Sequence, residues 1–199
     1  MSLRYLIGIL CLCLGLAACG PELVPVPKPR AYPRVLYPEK NYQSFEENYC
    51  AFHFEFPTYA RVEQDTLFFD ERPANACWFD LFIEEFDARI HCSYYPFDGS
   101  EAFEKLREDA FKMVQKHNIK ASYIDEFPIQ KSESVQGFAF NIEGPAASPF
   151  QFYLSDNQQH FLRGALYFNT QARPDSLAPI FNFVKADIMN MINTFEWKE

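Results

Sequence analysis

The residue best placed to do chemistry is Cys19, which directly follows Leu16-Ala17-Ala18. This pattern resembles the bacterial lipobox, in which small side chains admit a peptidase. The cysteine thiol is first acylated and then exposed as the new amino terminus. Upstream, Arg4 supplies the positive n-region, and residues 5–16 carry no charge. That run is shorter than the roughly 20 residues a membrane-spanning helix needs, so a cleaved signal peptide over residues 1–18 fits better than a permanent span. The other reading is an ordinary secretory peptide, cut at an Ala-x-Ala-like site with Cys19 incidental. If Cys19 is lipidated, several acyl chains bury methylenes at about 0.8 kcal/mol each, far beyond the marginal hold of one myristoyl group. Residues 19–31 then carry Pro21, Pro25, Pro27 and Pro29, a spacing that favours extended backbone and reads as a tether.

Cys11 and Cys13 leave with the signal peptide, so Cys50, Cys77 and Cys92 remain for an oxidising compartment. Cys77 and Cys92 lie on the two arms of an expected hairpin turning near Phe86-Asp87, whose register sets Cys92 opposite about Asp80. Cys77 is then roughly three residues, about 10 Å, out of reach. The expectation is a Cys50–Cys77 bond with Cys92 as a buried thiol; three reduced core cysteines is the other reading. His53, His91, His117 and His160 are scattered, and none has a His or Cys partner at helix-ligand spacing. His91 reads as a solvated or sheet-edge residue and His117 as a helix-terminal cation, while Asp156 and His160 flank a turn. With no nucleophile elbow, no HExxH and no glycine cluster among seven glycines, no catalytic residue, metal ligand set or cofactor is expected.

Removal of residues 1–18 leaves 17 basic against 27 acidic residues, a formal charge of −10. No Lys/Arg run offers the footprint of a nucleic-acid binder, and that class is excluded. The chain holds 22 Phe and 11 Tyr, large apolar anchors that must be buried or meet a partner.

The elements that would position these residues are short and aromatic. Alternation predicts strands over 53–56, 67–69, 78–83 and 89–95, then 121–127, 135–143, 150–155 and 160–169, with Asp156-Asn157 turning between the last two. In the last strand both faces are largely apolar, which makes it central, with Arg163 paired or reaching the sheet edge. Phe103, Leu106, Ala110, Met113 or Val114, and His117 recur at helical spacing behind a cap at Asp98 or Ser100. A closing helix behind Asp175 carries Leu177, Ile180, Val184, Ile188 and Met191 on one stripe. Many strands with two helices predict an α+β fold: one antiparallel β-sheet domain with two main helices packed on it, over residues 32–199.

Several segments, taken in order, resemble the gliding motility lipoprotein GldD family of Bacteroidetes. They are Pro27-Lys28-Pro29-Arg30-Ala31-Tyr32, Leu36-Tyr37-Pro38-Glu39-Lys40-Asn41-Tyr42, Cys50-Ala51-Phe52-His53-Phe54-Glu55-Phe56-Pro57, Cys77-Trp78 and Ile90-His91-Cys92-Ser93-Tyr94. Gly164-Ala165-Leu166-Tyr167-Phe168, Asp175-Ser176-Leu177 and Thr194-Phe195-Glu196-Trp197 complete the series. At position 92 the resemblance leads one to expect an aliphatic residue, so Cys92 is a departure that supports leaving it out of any disulfide. The resemblance implies a component needed for gliding and the linked type IX secretion system, with no enzymatic activity. By analogy, the strand order and closing helix also look like a PsbP/Mog1-type α/β/α sandwich, which carries no function by itself. Asp65-Thr66-Leu67 and Asp175-Ser176-Leu177 look like O-glycosylation acceptors of that phylum's periplasmic proteins, at Thr66 and Ser176.

Two classes of function follow. One is a lipid-anchored assembly or scaffold subunit whose partners are the membrane and protein components of the gliding and secretion machinery. The other is a periplasmic small-ligand or glycan-binding lipoprotein with Phe and Tyr around a pocket. Tyr32, Tyr37, Tyr42 and Phe45 are the candidate exposed aromatics, or else a segment that covers the core. Gly20 is not the Asp that resembles an inner-membrane retention signal, and no acidic run follows Cys19. The expected address is the periplasmic face of the outer membrane's inner leaflet. Replacing Cys19 by Ser is expected to release the protein from washed membranes into the soluble fraction; full retention of the variant would remove the anchor.

Overall fold

The computed structural model describes residues 34–65, 73–170 and 173–198. The expected strand over 67–69 lies outside these. The first two strands form a short hairpin, β1 (Tyr42–Phe45) and β2 (Phe52–Pro57), and β10 (Glu196–Trp197) pairs with the other edge of β2. The remaining strands are β3 (Ala60–Gln64), β4 (Trp78–Ile83), β5 (Ala88–Pro96), β6 (Tyr123–Gln130), β7 (Gln136–Glu143), β8 (Phe150–Ser155) and β9 (His160–Phe168). They make a seven-stranded antiparallel sheet in the order β3-β4-β5-β9-β8-β7-β6. The two helices are α1 (Ser100–Gln115) and α2 (Pro174–Thr194). The α+β class read from the alternation is therefore the fold, and β9, apolar on both faces, is the middle strand.

Side-chain alternation sorts the sheet into two faces. Phe79, Leu81, Ile90, Phe150, Phe152, Leu162 and Leu166 pack with Val184, Ile188, Met191 and Ile192 of α2 and with Phe45, Phe52 and Phe54 of the small sheet. On the other face, Phe140, Ile142, Tyr153 and Phe161 pack against Ala110 and Val114 of α1. The molecule is thus layered helix, sheet, helix, with the small sheet sharing the α2 side. Nine of the twelve largest fully buried side chains are Phe. At roughly 1.5–3 kcal/mol per buried side chain, they are the main favourable term in the fold. Gly164 belongs to this packing, because a Cβ there would stand 2.2 Å from the Phe152 ring.

Helix entry differs from the sequence expectation. Neither Asp98 nor Ser100 caps α1; Gly99 occupies the N-cap position at φ 81°, a left-handed turn that glycine makes without strain. Arg173 occupies the N-cap position of α2 and Pro174 its first turn, so Asp175 sits inside the helix, where a carboxylate suits the dipole. Strand β6 runs on through Pro128, which an edge strand tolerates because its missing donor breaks no ladder.

Two contacts fasten the small sheet to the rest. Cys50, just before β2, and Cys77, just before β4, are joined in a disulfide, while Cys92 is a buried free thiol. The β4–β5 register sets Cys92 opposite Phe79, one residue from the expected Asp80, and the Tyr94 amide donates to the Cys77 carbonyl at 3.3 Å. The second fastening is Asp187 of α2, whose side chain has no exposed surface. Lys40 Nζ donates to its Oδ1 at 2.5 Å, Tyr42 donates to the same oxygen at 2.9 Å, and Tyr59 donates to Oδ2. Tyr37 packs on Phe183 and Phe86, and Phe45 is buried in the core. Of the candidate exposed aromatics, Phe45 is buried and Tyr42 half-buried, Tyr37 remains exposed, and Tyr32 lies outside the described residues.

Replacing Cys50 and Cys77 by Ala is expected to lower stability by roughly 3–4 kcal/mol in urea titration, the loop entropy of a link across 27 residues of sequence. Non-reducing peptide mapping should recover the linked peptides, with Cys92 alkylated only on unfolding. Asp187→Ala is expected to cost about 3 kcal/mol, since three donors lose a charged acceptor. Burial and the Asp187 hydrogen bond push Tyr42 from 10.0 up to about 12. Between those values the folded state holds the proton that the unfolded chain loses, so stability falls as pH rises across that window. Stability that stays flat from pH 10 to 12 would contradict the Tyr42–Asp187 bond.

Candidate functional site

Helix α1 covers only part of its side of the large sheet. Over β9, β8 and β7 that face is apolar and packed; over β3, β4 and β5 it carries Arg61, Glu63, Asp65, Trp78, Asp80, Phe82, Arg89 and His91. The register explains the grouping, because Glu63 lies opposite Asp80 and Asp80 opposite His91. Asp65 follows β3, with its amide bonded to the Trp78 carbonyl at 2.8 Å. The charged side chains stand at alternate strand positions around the buried Trp78 and Phe82. Phe82, the apolar member, lies between the guanidinium groups of Arg61 and Arg89, at 4.5 and 4.2 Å from its ring centroid.

The charges on this face form a chain. Arg89 Nη1 donates to Glu63 Oε2 at 2.5 Å and to Asp80 Oδ2 at 3.0 Å. The other Asp80 oxygen meets His91 Nδ1 at 2.7 Å, and Asp65 Oδ2 lies 3.6 Å from the same nitrogen. Burial pushes the Asp80 carboxyl up, but His91 and Arg89 together outweigh it and hold Asp80 below the ordinary carboxylate value. Asp65 goes the other way, raised chiefly by burial. Sequence spacing missed this group because its members stand on three strands. His91 is on an inner strand of the sheet, not at its edge, with carboxylates beside it.

The other histidines stay apart. His53 meets Glu196 at 3.1 Å on the surface of the small sheet. His117 meets Gln151 at 2.9 Å below the end of α1, where burial and then Arg163 lower its pKa, so it is no helix-terminal cation. His160 meets the Tyr94 hydroxyl at 2.6 Å and stacks on Trp197. Asp156 is turn chemistry, its Oδ1 accepting the amides of Gln158, Gln159 and His160 at 2.9 Å each. Arg163 reaches no sheet edge; it is largely buried beneath α1 against Met113 and Gln151, and burial lowers its pKa.

A concave site lies elsewhere, between the first half of α2 and the β7–β8 end of the sheet. This cleft of about 500 Å³ is lined by Ser122, Asn141, Phe168, Phe181 and Lys185, among others. Lys185 Nζ donates to Asn141 Oδ1 at 3.1 Å and lies over the Phe150 ring at 5.2 Å. It makes no ion pair among the described residues. Ser176 is exposed on the first turn of α2, whereas Thr66 and Cys19 lie outside the described residues. Among the described residues, no helix is long and apolar enough to cross a membrane.

A search of curated proteins returns no match. Among solved structures, the chain is similar to the solution structure of cyanobacterial PsbP (CyanoP) from Synechocystis sp. PCC 6803, at 8% identity and a TM-score of 0.43. That likeness covers 80% of this chain and 94% of the other. The family model for the gliding motility lipoprotein GldD matches residues 22–197, and the chain belongs to that family.

Proposed function

We propose that the chain is a non-enzymatic, lipid-anchored envelope subunit required for gliding motility and the linked type IX protein secretion machinery, in which it acts as an assembly or scaffold component. The observation that carries this reading is the family match, which runs continuously from the proline-rich tether into the last strand. The packing supports it as well. The aromatic surplus is spent on the interior, and the disulfide and Asp187 brace the small sheet against the large one. A rigid body on a tether suits a subunit that holds others in position. Cys19 supplies the anchor, with the domain on the periplasmic side of the outer membrane. Thr66 and Ser176 are its candidate glycan acceptors.

The cleft supports a second reading as a small-ligand or glycan-binding lipoprotein, because it sets an ammonium and an amide beside the aromatic rings of Phe168 and Phe181. One experiment separates the two readings. Crosslinking in intact cells, followed by affinity purification from native membranes, is expected to recover motility or secretion proteins with the chain. Recovery of the chain alone, carrying a bound small molecule, would transfer the assignment to the second reading.

A further inference from the structure

We propose that Asp65, Asp80 and His91 form a binding site for one divalent first-row transition cation on the α1 side of the large sheet. Asp65 Oδ2, Asp80 Oδ1 and His91 Nδ1 converge, all within 4.8 Å of one another. The imidazole nitrogen lies 2.7 Å from one carboxylate oxygen and 3.6 Å from the other. Ligands held at about 2.0–2.2 Å from a single ion stand roughly 3–3.5 Å apart, and the observed separations bracket that range.

Three further observations point the same way. The Asp65 Oδ2 atom is buried and accepts no hydrogen bond among the described residues, although a buried carboxylate oxygen ordinarily finds a donor. It faces His91 Nδ1. The second observation is charge: among the described residues, Glu63, Asp65, Asp80 and Glu84 stand against Arg61 and Arg89, an excess of two negative charges that one divalent cation balances. The third is the support around Asp80, whose Oδ2 is held by Arg89 while Oδ1 points at His91 Nδ1, so the two ligand atoms are aimed at one place. Bonds of this kind fix the orientation of metal-bound carboxylates. Two carboxylates and one imidazole suit Zn²⁺ or Mn²⁺, and the imidazole disfavours Ca²⁺ and Mg²⁺, which prefer all-oxygen shells. Among the described residues, three side chains from neighbouring strands supply the converging ligand atoms. This inference is independent of the scaffold reading.

The test uses the mature lipoprotein in detergent, stripped of metal and titrated calorimetrically with Zn²⁺ and, separately, with Mn²⁺. One ion per chain is expected, with excess Mg²⁺ or Ca²⁺ failing to displace it. Asp65→Asn and His91→Ala should each weaken binding tenfold or more, and His53→Ala should leave it unchanged. Zn²⁺ should raise the Tm of the wild type and not that of His91→Ala. Circular dichroism checks that the variants are folded, and Asp65→Asn, being isosteric, keeps the test usable if His91→Ala is not. Absence of saturable binding to the wild type, or equal affinity in wild type and Asp65→Asn, would overturn the site.

Discussion

The carboxylate of Asp187 is the contact on which the arrangement of layers depends. It sits on the stripe of α2 that also carries Val184, Ile188 and Met191, fully enclosed, in the middle of the main apolar cluster. An ionised carboxylate in such a place is tolerable only when donors surround it. Those donors come from one stretch of chain, Lys40, Tyr42 and Tyr59, so α2 cannot bury its apolar side unless that stretch lies across it. The Lys40 ammonium stays partly solvated and also lies 4.0 Å from the centre of the Phe183 ring, which limits the desolvation the pair must bear. The interaction therefore specifies where β1 and β2 dock as much as it stabilises them.

With the small sheet and α2 on one face of the large sheet, α1 is the helix that packs on the opposite face among the described residues. A helix of 16 residues reaches over part of a seven-stranded sheet. The division between apolar and charged residues on that face follows the edge of the helix: Tyr153 and Phe161 lie under it, Asp80 and His91 beyond it.

Much of this was legible in the residues. Strand β9 reads as central because both of its faces are apolar, and the β4–β5 hairpin reads from alternation around Phe86-Asp87. Strand β3 escaped notice because its only large apolar residue is Val62, as befits an edge strand bearing Arg61 and Glu63. Asp187 escaped because one acid in a helical stripe looks like the border of that stripe, although its spacing from Val184 and Met191 puts it inside. The Asp80–His91 pair was lost to a slip of one residue in the expected register, which set Cys92 opposite Asp80. In a sheet a one-residue slip exchanges the faces, so a cysteine of the core took the place of a histidine of the α1 side. The cation-binding reading depends on that register and was invisible without it.

The same strand chemistry limits how a partner can attach. Sheet edges invite pairing with another chain through their free amides and carbonyls. The outer strand at one end, β6, presents exposed Asp125 and Glu126 and interrupts its donors at Pro128. At the other end, β3 turns Arg61 and Glu63 outward, both engaged in ion pairs. Charge and proline at an edge oppose strand addition, so recognition falls to side-chain surfaces: the outer faces of the helices, the cleft beside α2 and the charged face beyond α1. Of these, the charged face is where Asp65, Asp80 and His91 meet, and an ion held there would add a directional bond to a contact that charge alone leaves unspecific.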